Sequence, residues 1–413
     1  MKNAVIVSAA RTPIGNFGGS LRDIPAYDLA SLVIKEAIKR ANLSPEMADM
    51  VILGQNYQSG EYVNIARQSL LKAGWPVSIP ALTIDRRCPS GFDAVCLGAA
   101  MIKSESARVI VAGGVESMST AEFYVKGEVR WGLGGQGDMP RGQGSLSTSG
   151  IPLYDRILRA RAMSQPEARF GVIPTMMTWA ETAATEYNLS REAVDRWALL
   201  SHERACDAIK SRRFKDEIVP VPVTRAEDKP FLFTQDEHPR PDTSLKALAR
   251  LKPVLGGVCT AGNSAGQGDG AAAAVVMSED KAKELGTKPM AYLRAFAMSG
   301  VDPRQTWTAL PVAVNEVLKK AGLELRHIDL IEIHEAFAAQ VLANLKDLGL
   351  SRRNYDRINV NGSCIALGHP LGATGARILT TLLYEMARRQ VRYGLLAMCG
   401  GGGMGVAGIL ERA

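Results

Sequence analysis

The pattern of hydrophobic and polar positions along the chain occurs twice. Residues 36–53 and 316–333 carry the same order of side chains, offset by 280 positions, as the pair Asp49 and Asp329 illustrates. Each copy begins with apolar residues at helical spacing and ends, after a short turn, in an apolar stretch of strand length. The pattern therefore predicts a helix followed by a strand in both places.

The elements around each copy recur as well. An apolar strand is predicted before it, and a helix rich in small residues and a glycine-terminated strand are predicted after it. In chain order, the strands before are 4–7 and 291–296, the helices are 94–103 and 373–388, and the later strands are 109–114 and 394–403. Strands that alternate with helices form sheets covered by helices. We therefore expect a duplicated α/β architecture.

Three regions follow from this organisation. Residues 1–119 are expected to form an N-terminal half to which 253–280 return, and 281–413 are expected to form a C-terminal half. Between them, 120–252 is expected to be an inserted loop domain, because it is glycine-rich at first and punctuated by proline later. One clear helix is predicted within it, at 192–213. Such an insertion could supply lids and ligand contacts, or it could be a structural or subunit-contact element.

Composition narrows the class of protein. The chain has 413 residues, of which 46% are hydrophobic and 22% charged, as in ordinary globular proteins. Its net charge of +7 is scattered without a block of like charges, so nucleic-acid binding is not expected. A polyanionic small ligand or simple solubility accounts for the charge equally well.

Hydropathy and cysteine usage bear on location. No apolar run approaches the length of about 18 residues that a membrane helix needs, and the N-terminus does not resemble a secretory signal. Six cysteines without a CxxC pair predict neither a disulfide scaffold nor a structural zinc site. We expect a cytoplasmic protein without a transmembrane segment.

Cys88 is the first candidate for chemistry. It lies between the apolar stretch 81–84 and the following helix, so its thiol is expected at a helix N-terminus. Amide dipoles there favour the thiolate, which predicts a depressed thiol pKa, and Arg86 and Arg87 could add to the effect. A buried, inert cysteine is the other interpretation, and the spacing alone does not separate the two.

His369 is the favoured base. It is one of five histidines and lies between glycine and proline in a glycine-rich turn, 361–375, where a ligand could approach the backbone closely. A thiolate and an imidazole form a common nucleophilic pair.

Two further motifs could complete such a site. Cys399 ends an apolar stretch and precedes four glycines, whose backbone N–H groups could form an oxyanion hole. This cysteine could be a second acid or base, or a bystander in a tight turn. His334, followed by Glu335, comes directly after the repeated strand. It does not begin an HExxH motif, so a zincin is excluded, and by itself it could be structural.

Together these motifs resemble the thiolase family over nearly the whole chain. The matching segments are Cys88–Gly91, Ala112–Ser119, Thr260–Asn263, Gly368–Gly375 and Cys399–Gly405. The resemblance implies a thiolase-like, duplicated α-β-α-β-α layered sandwich with an inserted loop domain.

The resemblance also implies a mechanism. Cys88 would attack the carbonyl of a 3-ketoacyl-CoA after His369 takes its proton, and Cys399 would protonate the departing acetyl-CoA enolate. Free CoA would then remove the acyl group, and the reverse reaction would be a Claisen condensation. One oxyanion hole would use His369 and a water held by His334, and the other would use the backbone N–H groups of Cys88 and Gly401.

Substrate contacts are implied less directly. Arg240 matches the arginine that contacts the CoA nucleotide, and Ser264 matches the serine that binds pantetheine. Met176 lies where the acetoacetyl type has His-Met-Gly, but residues 175–177 here are Thr-Met-Met. That difference argues against a close copy of the short-chain pocket. His334 replaces an asparagine found in many members.

Three functions compete at this point. The first is a degradative 3-ketoacyl-CoA thiolase, the second a biosynthetic acetyl-CoA acetyltransferase, and the third a non-catalytic acyl-CoA-binding relative. A ketosynthase-type enzyme would need a Cys-His-His set, which Cys399 disfavours. The expected ligands are coenzyme A and acyl-CoA as substrates, with no covalently bound cofactor and no metal. A homodimer or homotetramer is expected, and a β-oxidation hydratase or dehydrogenase could be a partner.

Overall fold

The computed structural model describes residues 3–127, 129, 152–224 and 229–413. The strands in these residues are β1 (Ala4–Arg11), β2 (Gly15–Asn16), β3 (Met50–Gly54), β4 (Ala81–Ile84), β5 (Val109–Ser117), β6 (Phe123–Tyr124), β7 (Tyr154–Asp155), β8 (Val221–Val223), β9 (Phe231–Phe233), β10 (Gly268–Ser278), β11 (Ala291–Gly300), β12 (Leu330–Ile333), β13 (Tyr393–Gly400) and β14 (Met404–Arg412). The α-helices are α1 (Ala26–Arg40), α2 (Ile65–Lys72), α3 (Ser90–Lys103), α4 (Arg156–Ala162), α5 (Glu167–Phe170), α6 (Met177–Glu186), α7 (Arg191–Lys210), α8 (Leu245–Ala249), α9 (Glu279–Glu284), α10 (Ala309–Ala321), α11 (Ala338–Asp347), α12 (Cys364–Leu367) and α13 (Leu371–Arg389).

The two halves of the chain build their sheets in the same order. The strands of the N-terminal half lie in the order β4-β3-β5-β10-β1, and those of the C-terminal half in the order β12-β13-β14-β11. Without the edge strand β4, each strand of one half has an equivalent at the same place in the other. The half-sheets join where β1 and β11 pair antiparallel, Val5 with Tyr292 and Ile6 with Ala291. The predicted duplication is confirmed.

Two matched aspartates explain part of the sequence repeat. A side-chain oxygen of Asp49 accepts hydrogen bonds from two successive backbone N–H groups at the start of β5, at 2.6 and 2.8 Å. Asp329 does the same at the start of β13, at 3.0 and 2.8 Å. Each carboxylate therefore fixes the backbone at the start of a central strand. This local role accounts for the aspartate at the matched position of each repeat.

Helices form three layers around the half-sheets. Helices α3 and α13 pack between them, α1 and α2 cover the outer face of the N-terminal half, and α10 and α11 cover the C-terminal half. This is the predicted α-β-α-β-α order. Phe92 of α3 is fully buried in the middle layer, where it packs against Gly375 of α13 and Gly408 of β14. Truncating a buried phenylalanine of this kind costs about 3–5 kcal/mol of stability.

The inserted region packs on the C-terminal half through α7. The predicted helix at 192–213 is observed as α7, and the side chain of Ser190 caps it by accepting a hydrogen bond from the Ala193 N–H at 3.1 Å. Trp197 of α7 is buried and donates to Glu335 at 3.0 Å. The glycine-rich stretch at 127–150 lies almost entirely outside the described residues.

One predicted strand is wrong in its extent. Residues 394–403 do not form a single strand, because β13 ends at Gly400 and a turn leads into the antiparallel strand β14. Gly402 and Gly403 have φ values of +88° and +79°, which glycine adopts without steric cost. None of the described helices combines the length and the apolar character needed to cross a membrane.

Candidate active site

The four reactive side chains singled out in the sequence line one cavity of about 170 Å³. Cys88 comes from the N-terminal side of α3, His369 from the N-terminal side of α13, His334 from the end of β12 and Cys399 from β13. The equivalent helices of the two halves thus bring the nucleophile candidate and the base candidate to one place.

The turn that presents Cys88 is held by the first residue of α3. The hydroxyl of Ser90 accepts from the Arg86 N–H at 2.8 Å and donates to the Arg87 carbonyl at 2.6 Å. Arg87 has a φ of +59°, an uncommon conformation for a residue with a side chain. The chain therefore reverses sharply just before the thiol, and the thiol faces the cavity.

Close contact between the strand β5 and the N-terminal end of α13 fixes the position of that helix. A Cβ placed on Gly114 of β5 would lie 1.9 Å from the carbonyl oxygen of Gly372, the second residue of α13. Glycine at this position is therefore a packing requirement. The segment 112–119 matches a family motif, but its glycines do not line the cavity. Their role is to allow this close packing.

His369 is oriented as a base toward Cys88. Its Nε2 lies 3.2 Å from the Cys88 Sγ, and its Nδ1 lies 2.7 Å from the Thr374 hydroxyl. That hydroxyl donates its own hydrogen to the Pro370 carbonyl at 3.0 Å, so it accepts from Nδ1–H. We assign the Nδ1–H tautomer on this network, which leaves the Nε2 lone pair facing the thiol.

The predicted depression of the Cys88 thiol pKa is wrong. Burial raises the pKa to about 12, and it outweighs the opposing effects of the Gly401 N–H and of positively charged Arg87. Loss of hydration destabilises the thiolate by more free energy than the amide groups at the helix N-terminus contribute to stabilising it. Cys88 therefore rests as a thiol, and the nucleophile is produced only when a base removes its proton.

Both histidines of the cavity are neutral at rest. Burial lowers the pKa of His334 to about 3, with a further contribution from Arg377, while its bond to the Cys399 backbone opposes the shift. Burial likewise lowers the pKa of His369 well below its ordinary value, assisted by His334 and Arg377. A neutral imidazole has a free lone pair, which is the state that a general base needs.

His334 presents a lone pair to the cavity. Its Nδ1 lies 3.2 Å from the carbonyl oxygen of Cys399, which only accepts, so Nδ1 carries the hydrogen. Its Nε2 is buried and has no hydrogen-bond partner among the described residues. The rings of His334 and His369 lie with centroids 4.5 Å apart. His334 therefore faces the same space as the nucleophile, as an acceptor.

Glu335 is a structural neighbour of this histidine. Its carboxylate accepts hydrogen bonds from Trp197 at 3.0 Å, Ser201 at 2.7 Å and Asn359 at 2.9 Å. These donors come from the inserted region and from the segment before α12. The carboxylate thus joins three parts of the chain and fixes the end of β12, where His334 stands.

Cys399 and the glycine run complete the cavity wall. Cys399 is buried, its Sγ lies 3.9 Å from His334 Nδ1, and burial followed by the proximity of Cys88 raises its pKa well above the ordinary value. The Gly401 N–H points at the Cys88 sulfur. A Cβ on Gly401 would lie 2.9 Å from the Met176 sulfur, so a side chain there would displace the end of Met176 in the cavity.

The site also contains a group able to bind a metal. One ligand atom each from Cys88, His334 and His369 lies within 4.8 Å of the others. Thiolate and imidazole are ligands that zinc prefers. A reaction without metal stays a prediction.

The three expected substrate contacts are placed differently. Ser264 and Met176 line the cavity, and the Ser264 hydroxyl donates to the Thr260 carbonyl at 2.7 Å. Arg240 does not line it. Arg240 is exposed, and its backbone N–H donates a hydrogen bond to His202 Nδ1 at 3.2 Å.

Sequence reasoning missed two polar residues of the site. Thr374 lies within a motif that the sequence singled out, and only its contact with His369 shows a role. Arg161 lines the cavity from α4. No sequence signal separates it from Arg156 and Arg159 on the same short helix.

Comparison with known proteins gives the same picture over the full chain. Residues 4–280 match the family model for the thiolase N-terminal domain, and 287–412 match that for the thiolase C-terminal domain. The chain is 43% identical over 412 residues to an acetyl-CoA acetyltransferase of Syntrophomonas wolfei, covering 99% of both chains. It is 43% identical over 414 residues to one of Escherichia coli, covering 100% of both.

Two solved structures are similar throughout. The Bacillus anthracis acetyl-CoA acetyltransferase superposes with a TM-score of 0.91 at 40% identity, covering 100% of this chain and 99% of that one. Human mitochondrial 3-ketoacyl-CoA thiolase superposes with a TM-score of 0.90 at 37% identity and the same coverage.

Proposed function

Since this chain belongs to the thiolase family, and is an acyltransferase that cleaves or forms 3-ketoacyl-CoA, we propose that it works in the direction of thiolytic cleavage. The observation that carries the proposal is the contact between Cys88 and His369, with Cys399 in the same cavity and protonated at rest. A protonated Cys399 can give its proton to a departing enolate, as cleavage requires, and Thr-Met-Met at 175–177 favours a substrate other than that of the short-chain condensing type.

In the first half of the proposed reaction, His369 Nε2 removes the Cys88 proton as the sulfur attacks the 3-keto carbon. The bond between C2 and C3 then breaks, and its electron pair stays on C2 as the acetyl-CoA enolate. Cys399 donates its proton to that carbon, so acetyl-CoA leaves and the acyl group remains on Cys88. Since the thiol pKa is raised and the His369 pKa is lowered, the thiolate is formed only as the sulfur attacks, and not beforehand.

In the second half, the thiol of free CoA gives its proton to the Cys399 thiolate and attacks the acyl-cysteine. Cys88 leaves and recovers a proton from His369, which returns every group to its starting state. The Gly401 and Cys88 N–H groups are suited to stabilise one oxyanion. His334 Nε2, as an acceptor, is suited to hold a water molecule. The other hydrogen of that water, together with His369, would stabilise the second oxyanion.

Formation of acetoacetyl-CoA is the second candidate. The relatives named acetyl-CoA acetyltransferase, at 43% identity, favour it. Thr175 and Met177 line the cavity together with Met176, and they replace the short-chain sequence described above, which favours a different acyl group. A non-catalytic binding protein would have no need of four reactive side chains in one cavity.

Thiolysis rates with 3-ketoacyl-CoA substrates from acetoacetyl-CoA to long-chain and aromatic acyl groups test the proposal. Activity that rises beyond acetoacetyl-CoA supports a degradative thiolase. Activity confined to acetoacetyl-CoA makes the acetyltransferase the better assignment. No activity with any substrate revives the binding-protein hypothesis. The Cys88→Ala variant is the control for enzyme-independent cleavage.

CoA contacts are part of the same proposal. Ser264, at the cavity wall, is suited to contact pantetheine, and exposed Arg240 is suited to contact the nucleotide phosphates. Replacing Arg240 with alanine is expected to raise the KM for CoA while kcat stays within about twofold, because a surface phosphate contact acts mainly in binding.

A homo-oligomer is supported by one edge of the sheet. β4 pairs only with β3 among the described strands, so its other edge has unpaired backbone groups. Val63, Val77 and Leu82 around it are 71%, 74% and 40% exposed. An open edge with apolar flanks favours pairing with a second copy. Light scattering after size-exclusion chromatography tests this, and a monomer would contradict it.

A further inference from the structure

Two guanidinium groups line the cavity beside the nucleophile. Arg87 directly precedes Cys88, and Arg161 enters from α4. Arg87 donates to the Ala160 carbonyl at 3.1 Å. Arg161 contacts the Tyr57 hydroxyl and, in the amide orientation that satisfies both groups, the side-chain oxygen of Gln267. All these partners are neutral.

Neither guanidinium forms an ion pair with another part of the chain that the structure describes. Neighbouring Arg86 pairs with Asp93 at 2.8 Å, whereas fully buried Arg377 forms no ion pair among the described residues and donates to the Cys364 Sγ at 3.0 Å. A cation in a partly closed, largely apolar cavity loses hydration, and an anion compensates for that loss. A ligand with an anionic group would supply this compensation for Arg87 and Arg161 in the cavity.

We propose, on the basis of the proposed thiolase function, that the acyl chain this enzyme cleaves carries a second carboxylate, bound by Arg161. The carboxylate would replace neutral partners of the guanidinium with two charge-assisted hydrogen bonds. Arg87 adds positive charge on the same side of the cavity.

The position of Arg161 separates this role from binding of CoA phosphates. Gln267, whose side chain contacts Arg161, forms a backbone β-bridge with His369. The Arg161 guanidinium is therefore close to the reacting atoms. The phosphates of CoA are held away from the thioester by the whole pantetheine arm. An acidic group on the acyl chain is the anion that reaches this depth.

The test compares two substrates with the same carbon count, 3-oxohexanedioyl-CoA and 3-oxohexanoyl-CoA, in thiolysis. The unmodified enzyme is expected to have a kcat/KM roughly 10- to 100-fold higher for the diacid, as charge-assisted hydrogen bonds provide. In Arg161→Leu that ratio is expected to fall to about one, and in Arg161→Lys to an intermediate value. Arg159→Leu is the matched control, because Arg159 lies on the same helix over the Tyr154 ring and outside the cavity.

A methyl ester of the diacid substrate separates charge from shape. It is expected to behave like 3-oxohexanoyl-CoA. Equal use of the diacid and the neutral chain by the unmodified enzyme overturns the inference, as does an equal loss on both substrates in Arg161→Leu. Inactivity of the unmodified enzyme on both, and on acetoacetyl-CoA, overturns the proposed thiolysis itself. If Arg161→Leu does not fold, Arg161→Lys with the ester comparison decides.

Discussion

The Nε2 atom of His369 lies 3.2 Å from the Sγ atom of Cys88, although 281 positions of sequence separate the two residues. Both stand before the first turn of a central helix, Cys88 before α3 and His369 before α13. Since α3 and α13 are equivalent helices of the duplicated fold, the pair is a product of how the two halves pack.

Replacing Cys88 with alanine is expected to abolish thiolysis, because no other described thiol lies within hydrogen-bond distance of His369 Nε2. Thiolysis rate and circular dichroism together check this. Cys206→Ala, a half-exposed cysteine on α7, is the matched control and should keep full activity. Retained activity in Cys88→Ala would remove this residue from the nucleophile role.

Replacing Cys399 with alanine is expected to stop cleavage and condensation while leaving acyl transfer to Cys88. The reason is that Cys399 alone moves the proton at carbon, whereas Cys88 and His369 still carry out some acyl transfer, slowed because Cys399 no longer exchanges a proton with CoA. Mass spectrometry of the protein after incubation with acetyl-CoA should still show acetylation of Cys88, whereas the condensation rate should fall to background. Normal condensation would contradict its role as acid and base at carbon.

Thr374→Val is expected to lower kcat about 10-fold or more. The change leaves the His369 Nδ1–H without an acceptor in a buried place, and the ring loses its fixed orientation. Thr374→Ser should restore most of the rate. Thr380→Val is the matched control, since its hydroxyl makes the same helical bond to a carbonyl, at 2.8 Å, away from the site. Equal loss in both valine variants would indicate a general helix effect.

Alkylation of Cys88 by iodoacetamide is expected to speed up about tenfold per pH unit between pH 6 and 9, without a plateau. The thiol pKa is raised to about 12, so the reactive thiolate fraction keeps growing with pH throughout this range. Peptide mass spectrometry over a pH series measures it. A rate independent of pH above about 7 would mean that thiolate and imidazolium are already paired in the free enzyme.

Protonation of His334 is expected to destabilise the fold in mild acid. Its folded-state pKa is lowered to about 3, below the unfolded value of about 6.5. The unfolded chain therefore binds the proton first, so this contribution to stability is present above pH 6.5 and is lost as pH falls toward 3.

Between pH 7 and 5 this contribution amounts to about 2 kcal/mol. His334→Asn should therefore lose about 2 kcal/mol less unfolding free energy over that interval than the unmodified protein does. Urea unfolding at both pH values measures the difference. His327→Asn, at an exposed histidine, is the control and should follow the unmodified protein. Parallel losses in all three proteins would refute the assignment.

The sequence by itself determined the repeated helix-strand unit, because matched positions such as Asp49 and Asp329 meet local needs at strand entries. It also determined the motifs that contain Cys88, His369 and Cys399, because glycine-rich turns and helix N-termini are formed by residues close together in the sequence. It could not determine the hairpin after Gly400, where positive φ at successive glycines ends the strand that the apolar pattern predicted to continue.

Only the tertiary structure decided the state of the thiol and the chemistry of the cavity wall. A helix N-terminus is visible in the sequence, but the degree of burial that raises the Cys88 pKa depends on packing from both halves of the chain. The tautomers of His369 and His334 depend on Thr374 and on the Cys399 carbonyl, contacts that no spacing shows. Arg161 lacks a sequence signal because its place in the cavity arises from the packing of a short helix in the insertion against the site.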